Sequence, residues 1–292
     1  MSGNSVLAAT LSRAHRILPR AAGYVHTAMF VNTRGLGDPP DDVCPLGARR
    51  VAVTGVPRVA AVYVWGEGEP TVLALHGWGT DSTTMSSVVD VAVANGESAI
   101  CFDAPGHGIS PGSQATITEY SRAIVEVLQR FPSIRTVVAH SLSSIAAVAA
   151  VAALADSGRS DVRTMLLLAP TCSLSGVLDR WAAKRRLPTG VAALIRRELQ
   201  RRDGVPVSHW DIRTLGLPAE VEVRIIHDLA DDSVPISDSY DISAGIDVRA
   251  LESVSGTGHH GIVASDRMRA ALIDCLRPAP SDPPSRKTSE CR

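Results

Sequence analysis

Three residues far apart in the chain have the types that nucleophilic acyl chemistry requires: Ser141, Asp231 and His259. Ser141 stands in Ala139-His140-Ser141-Leu142-Ser143, between an apolar run, Ile134 to Ala139, and an alanine-rich helical stretch that ends at Ala155. A serine at a sharp strand-to-helix turn has its hydroxyl held up as a nucleophile. That hydroxyl is weak alone; it needs a base to take its proton and an acid to orient the base. The base is assigned to His259, which Gly256 and Gly258 place on a flexible, reachable loop; the adjacent His260 leads into the next helix. The acid comes from Asp228, Asp231 and Asp232, which follow the apolar run Val221 to Ile226. Ligands of open α/β sheets bind outside the carboxyl ends of the strands, where this cluster falls. Carboxylates there can also cap a helix near Ile236. Both uses are compatible: Asp232 or Ser233 as the cap, with Asp231 orienting His259.

Acyl transfer also needs two donors aimed where negative charge develops on the carbonyl oxygen. His76-Gly77-Trp78-Gly79 directly follows the apolar run Val72 to Leu75, and its glycine lets the backbone turn an N–H toward the strand tips. The two donors are assigned to the backbone N–H groups of Trp78 and Leu142. The segment Phe102-Asp103-Ala104-Pro105-Gly106-His107-Gly108-Ile109-Ser110 also follows a strand. Its histidine sits among turn-forming residues, and His107 is read as structural.

These groups must be positioned by a scaffold, and 292 residues suffice to bury a sizeable core. Hydrophobic residues make up 45% of the chain and the formal net charge is −1, which gives no polyanion a reason to bind; no nucleic-acid partner is expected. Cys44, Cys101, Cys172, Cys275 and Cys291 are scattered and odd in number, so neither a disulfide framework nor a zinc site is expected; Cys101 and Cys275 are read as core residues. No apolar run is long enough for a transmembrane helix, and Arg13, Arg16 and Arg20 are not followed by a secretory pattern. A cytoplasmic location, a small-molecule acyl substrate and no cofactor are the expectations.

Residues 1–48 read as a helical extension followed by a Gly/Pro/Asp-rich loop. Arg50 to Val53 and Ala60 to Val64 read as an antiparallel pair. After Val72 to Leu75, helix and strand alternate: helix Thr84 to Ala94, strand Ser98 to Phe102, helix Ile117 to Phe131, strand Ile134 to Ala139, helix Leu142 to Ala155, strand Val162 to Leu168. Strands that are apolar throughout and separated by helices imply a parallel sheet covered on both faces. Residues 171–216 interrupt the alternation with Arg-rich helical spacing, too long for a plain connection. They are expected to form a small helical cap, with Trp181 and Trp210 among its residues. Strand Val221 to Ile226, strand Val248 to Val254 and helix Ile262 to Leu276 complete the pattern. The domain organisation expected is 1–48 extension, 49–170 and 217–277 core, 171–216 cap and 278–292 disordered tail.

Over about residues 50–277 the chain resembles the serine hydrolases of the α/β-hydrolase fold. The resemblance is carried by His76-Gly77-Trp78-Gly79, Asp103-Ala104-Pro105-Gly106-His107-Gly108, Ala139-His140-Ser141-Leu142-Ser143, His227 to Pro235 and Gly258-His259, in family order. It implies an eight-stranded, mostly parallel sheet, Asp231 as the acid, and hydrolysis of an ester or thioester through an acyl-enzyme. The elbow departs from G-x-S-x-G, because Ala139 and Ser143 replace the two glycines. Acyl transfer to an alcohol or amine, cleavage of a C–C bond, and a non-catalytic binding protein on the same fold are the alternatives.

Overall fold

A computed structural model describes residues 19–34, 44–53, 55–155, 157–188 and 190–277. The tail expected from 278 onward, Cys291, and most of the extension and loop expected over 1–48 lie outside the described residues. Within the extension, helix α1 (Pro19–Phe30) opens on proline, whose fixed φ and missing N–H suit a first helical position.

Eight strands form one sheet: β1 (Arg49–Val51), β2 (Val62–Trp65), β3 (Val72–Leu75), β4 (Ala99–Phe102), β5 (Thr136–His140), β6 (Thr164–Leu168), β7 (Glu222–Asp228) and β8 (Ala250–Val254). Their order is β1-β2-β4-β3-β5-β6-β7-β8. β1 and β2 pair antiparallel, as do β2 and β4; every pairing from β4 through β3 to β8 is parallel. All four residues of β3 and of β4 are buried, as are all five of β5. That burial is why these strands are apolar throughout instead of alternating.

The pleat sorts the strand residues between two cores. Leu73, Leu75, Phe102, Val137 and Leu167 face α3 (Ile117–Arg130) and α4 (Ser143–Ala155). Val72, Ala74, Cys101, Val138 and Leu166 face α2 (Ser86–Ala94) and α9 (Asp266–Leu276). α4 is buried around almost its whole circumference, which only an alanine-rich helix can achieve between the sheet and α3. The interruption in the alternation forms α5 (Leu174–Lys184), α6 (Val191–Asp203) and two short 3₁₀ turns. α7 (Ser237–Gly245) and a single turn, α8 (Gly258–Gly261), lie before α9. The final helix begins at Asp266 and not at Ile262, because Ser265 caps it by accepting the Met268 N–H at 3.1 Å. Cys101 is fully buried, whereas Cys275 is half-buried at the edge of the second core. Among the described residues no helix is long and apolar enough to cross a membrane.

The loop after β4 is built around Asp103, which is 3% exposed. Its carboxylate accepts the N–H of Ser82 at 2.8 Å and of Ile109 at 3.0 Å, while its carbonyl accepts the Ser110 hydroxyl at 2.7 Å. Gly108 is required here: its φ is +44°, and a Cβ would lie 2.2 Å from the Asp103 carboxylate. Asp103→Ala would strand the buried Ser82 N–H and the partly buried Ile109 N–H, so it is expected to cost about 2–4 kcal/mol. A melting temperature about 5–15 °C lower checks this, and an unchanged one would show that water replaces the carboxylate.

Candidate active site

β5 ends at His140, and Ser141 turns the chain into α4 with φ = +60°. A non-glycine residue at positive φ is uncommon and costs about 1–3 kcal/mol, so its surroundings must hold it there. The Ser141 N–H donates to the Leu168 carbonyl on β6 at 2.9 Å, and the Ser141 carbonyl accepts the Ser144 N–H at 3.1 Å. Ser143, in place of the second elbow glycine, is fully buried, and its hydroxyl donates to the His140 carbonyl at 2.8 Å with the Leu75 carbonyl 3.1 Å away. Ala139 is also fully buried. At the elbow the close approach falls instead on Gly77, where a Cβ would lie 2.8 Å from His140 Nδ1.

The structure brings Ser141, His259 and Asp231 together. Ser141 Oγ lies 2.9 Å from His259 Nε2, and His259 Nδ1 lies 2.7 Å from Asp231 Oδ2. An Nδ1–H that donates to the carboxylate leaves Nε2 as the acceptor for the serine hydroxyl. The Asp231 side chain is fully buried, and Oδ1 accepts the N–H groups of Ser233 and Val234, both at 2.8 Å. Burial pushes its pKa up, but hydrogen bonds from His227, His259, Val234 and Ser233 together outweigh it and hold the group well below the usual carboxylate range. His227 Nε2 lies 3.4 Å from Asp231 Oδ2 and donates to the Val234 carbonyl at 3.0 Å.

The neighbouring aspartates behave differently from each other. β7 runs two residues beyond its apolar run, which places Asp228 in the sheet with no exposed surface. Its Oδ1 accepts the Ala230 N–H at 2.8 Å. Its Oδ2 accepts the N–H of Thr257 at 2.6 Å, the Thr257 hydroxyl at 2.8 Å and the N–H of Gly258 at 2.8 Å. The loop carrying His259 is therefore pinned, not flexible as its glycines suggest. The Ala230 N–H above all, then those of Gly258 and Thr257, outweigh burial and lower the Asp228 pKa to about 2. Asp232, expected with Ser233 as a cap, caps nothing. It is exposed and accepts only the Ser233 hydroxyl, and α7 follows Ile236 with no side-chain cap. The first-turn donors of Asp238 and Ser239 already reach the carbonyls of Pro235 and Ile236, at 2.9 and 3.0 Å.

Three further histidines surround the site as neutral props. His140 Nε2–H donates to the His259 carbonyl at 2.8 Å, and the two rings lie 4.8 Å apart. Burial, reinforced by His259, pushes the His140 pKa down to about 3. His107 donates from Nδ1 to the Pro105 carbonyl at 3.0 Å and packs edge-on against Trp78 at 4.9 Å. Burial and the nearby His76 push its pKa to about 3, in keeping with a structural residue. His76 donates from Nδ1 to the Gly77 carbonyl at 2.8 Å and accepts the Ala104 N–H at 3.0 Å, which ties the turn after β3 to the turn after β4. Sequence reasoning missed the supporting roles of His140, Ser143, His227 and Asp228. Only the proximity of His227 and Asp228 to Asp231 was a signal.

Ser141 and His259 open onto a cavity of about 740 Å³, bordered also by Trp78 and Leu142. Phe30 and Trp181, edge to face at 5.3 Å, form part of its wall with Trp210. Among the described residues, the backbone N–H groups of Trp78 and Leu142 donate to no protein group. One follows the glycine after β3 and the other directly precedes α4, so both flank Ser141. The arrangement joins a hydroxyl, a base with a free acceptor nitrogen, a buried carboxylate and two uncommitted donors around one apolar cavity.

Residues 72–279 match the model of the alpha/beta hydrolase family. Among curated proteins none matches. Solved structures share the fold at low identity. An esterase of Pyrococcus furiosus is 16% identical over 84% of this chain and 96% of its own, with a TM-score of 0.58. Mouse alpha/beta hydrolase domain-containing protein 10 is 16% identical over 78% of this chain and 96% of its own, with a TM-score of 0.57. A thioesterase domain of the curacin biosynthetic pathway is 17% identical over 77% of this chain and 98% of its own, with a TM-score of 0.51. With the family model spanning more than half of its length, this chain belongs to the alpha/beta hydrolase family.

Proposed function

We propose that this protein is a serine hydrolase that cleaves a carboxylic ester or thioester through an acyl-enzyme. The observation that carries the reading is the unbroken chain from Ser141 Oγ through both nitrogens of His259 to Asp231, at 2.9 and 2.7 Å. His259 takes the Ser141 proton as Oγ bonds to the acyl carbon. The carbonyl electrons move onto oxygen, held by the N–H groups of Trp78 and Leu142. The intermediate collapses, the bond to the leaving oxygen or sulfur breaks, and His259 returns its proton to that atom. Water then repeats the sequence and releases the acid. Asp231 keeps His259 in the required tautomer and stabilises its cation. Esterase and thioesterase structures among the neighbours support this substrate class as analogy.

Residues 171–216 act in this reading as the cap. α5 carries Trp181 into the cavity wall, and the apolar interior takes the acyl chain. Addition of a competing alcohol to the assay separates hydrolysis from acyl transfer, because only a transferase gives the new ester as its main product.

Ser141→Ala is expected to lower kcat toward p-nitrophenyl esters by roughly 10⁴–10⁶ and to leave the melting temperature nearly unchanged. Turnover close to wild type would remove Ser141 from the chemistry. Asp231→Asn is expected to cost about 10⁴ in kcat, because the amide favours the wrong tautomer of His259.

Asp228→Asn should instead act on stability. The Asp228 pKa is lowered in the folded chain to about 2, so its contribution is present above the ordinary carboxylate pKa and is lost as pH falls through about 2. The variant is therefore expected to be less stable at pH 7 and to lose less stability on acidification. Urea unfolding at pH 7 and pH 3 checks this; parallel curves for wild type and variant would contradict it.

A further inference from the structure

Residues 171–216 hold nine lysines and arginines against four carboxylates, in a chain whose totals are 29 and 30. Carboxylates engage five of these cations: Arg180 with Asp238, Arg196 with Asp179, Arg201 and Arg202 with Glu198, and Arg213 with Asp211. Among the described residues, Lys184, Arg185, Arg186 and Arg197 form no ion pair. Three of the four are consecutive and exposed at the end of α5. Lys184 and Arg185 border the cavity that holds Ser141, and the Arg185 guanidinium lies 4.3 Å over the Trp181 ring in the cavity wall. The remaining carboxylates at that wall are already engaged: Asp203 by the hydroxyls of Thr116 and Thr118 at 3.1 and 2.9 Å, and Asp232 by the Ser233 hydroxyl at 3.0 Å.

The backbone carries a second sign. α5 closes with the Arg186 N–H on the Ala183 carbonyl at 2.9 Å and the Leu187 N–H on the Ala182 carbonyl at 3.1 Å. This pattern puts the turning residue in the left-handed region, where glycine is usual. Here it is Arg186, with φ = +50°. A glycine would relieve the turn but delete a cation. A helix C-terminus favours positive charge in general. α6 has two arginines in its last turn and pairs both with Glu198, whereas the three cations at the end of α5 form no ion pair among the described residues, and two of them, Lys184 and Arg185, border the cavity.

We propose that Lys184, Arg185 and Arg186 bind a phosphate carried by the leaving group of the substrate, so that this protein acts on acyl thioesters of phosphate-bearing carriers. The inference rests on Ser141 being the nucleophile. The acyl chain enters the apolar cavity, and the carrier crosses the exposed cationic rim. A guanidinium fork and an ammonium together suit a group with more than one negative charge. In the reaction the Ser141 Oγ–acyl bond forms as the C–S bond breaks. The serine proton passes through His259 to the departing sulfur, and water then returns Ser141 and releases the carboxylic acid.

Three octanoyl thioesters test this: one of coenzyme A, one of phosphopantetheine on a carrier protein, and one of N-acetylcysteamine, which lacks phosphate. For wild type at low salt, kcat/KM for at least one phosphate-bearing thioester is expected to exceed the neutral one by about tenfold or more. The preference should shrink as salt rises. In Lys184→Gln/Arg185→Gln/Arg186→Gln the ratio should fall to within about threefold of unity. Arg186→Gly should lower the ratio while keeping or raising the melting temperature, which a purely structural arginine would not do. A preference for the coenzyme thioester identifies a free carrier, and one for the protein-bound thioester identifies a protein carrier. Equal rates on all three, or a preference untouched by the triple substitution, would overturn the proposal. If no thioester turns over while wild type still cleaves p-nitrophenyl esters, the thioester proposal is overturned and the hydrolase reading stands; if neither ester nor thioester turns over, the hydrolase reading falls with it.

Discussion

The site depends on one backbone constraint: Ser141 is held at φ = +60° between β5 and α4. An L-residue does not rest there unaided, and neighbours on three sides keep it in place. The Leu168 carbonyl takes its N–H, the buried Ser143 hydroxyl bonds the carbonyl just before it, and the absent side chain of Gly77 leaves room for the His140 ring. The hydroxyl then points away from both strand and helix, toward the cavity and the His259 ring. Every other contact at the site adjusts the partners of that hydroxyl.

Two aspartates three residues apart divide the work on His259. Asp231 reaches the ring, and Asp228 reaches the backbone of the loop that carries it. Both are buried, and both stay ionised because several N–H groups converge on each. His140 completes the support from the opposite side, with its Nε2–H on the His259 carbonyl. A neutral donor suits that place, since a second cation beside His259 would oppose any positive charge that the ring acquires. The imidazole is thus fixed through its ring, its carbonyl and its loop.

The architecture was legible because a parallel sheet buried on both faces imprints uninterrupted apolar runs, such as Val72 to Leu75 and Ile134 to Ala139. The same runs located Ser141, Trp78 and Leu142 at strand tips. Legibility failed where a strand continues in polar residues. β7 carries His227 and Asp228 inside the sheet, and apolar patterning stops at Ile226. It failed also where a residue type has two uses. Gly256 and Gly258 signal flexibility in a sequence, but here they permit a loop that Asp228 pins. Asp232 has the composition of a helix cap, yet preceding carbonyls already satisfy the donors of α7. Ser143 reads as a small filler for a missing glycine, and only the folded elbow reveals its hydroxyl bond.

Under the proposed function, Ser141 alone among the serines is activated, through its contact with His259. The direct measurement is peptide mapping by mass spectrometry after reaction with a fluorophosphonate, which phosphonylates only an activated serine. One adduct per chain is expected, on Ser141, formed far more slowly in the Asp231→Asn variant. An adduct on another residue, or none on a folded chain, would contradict it.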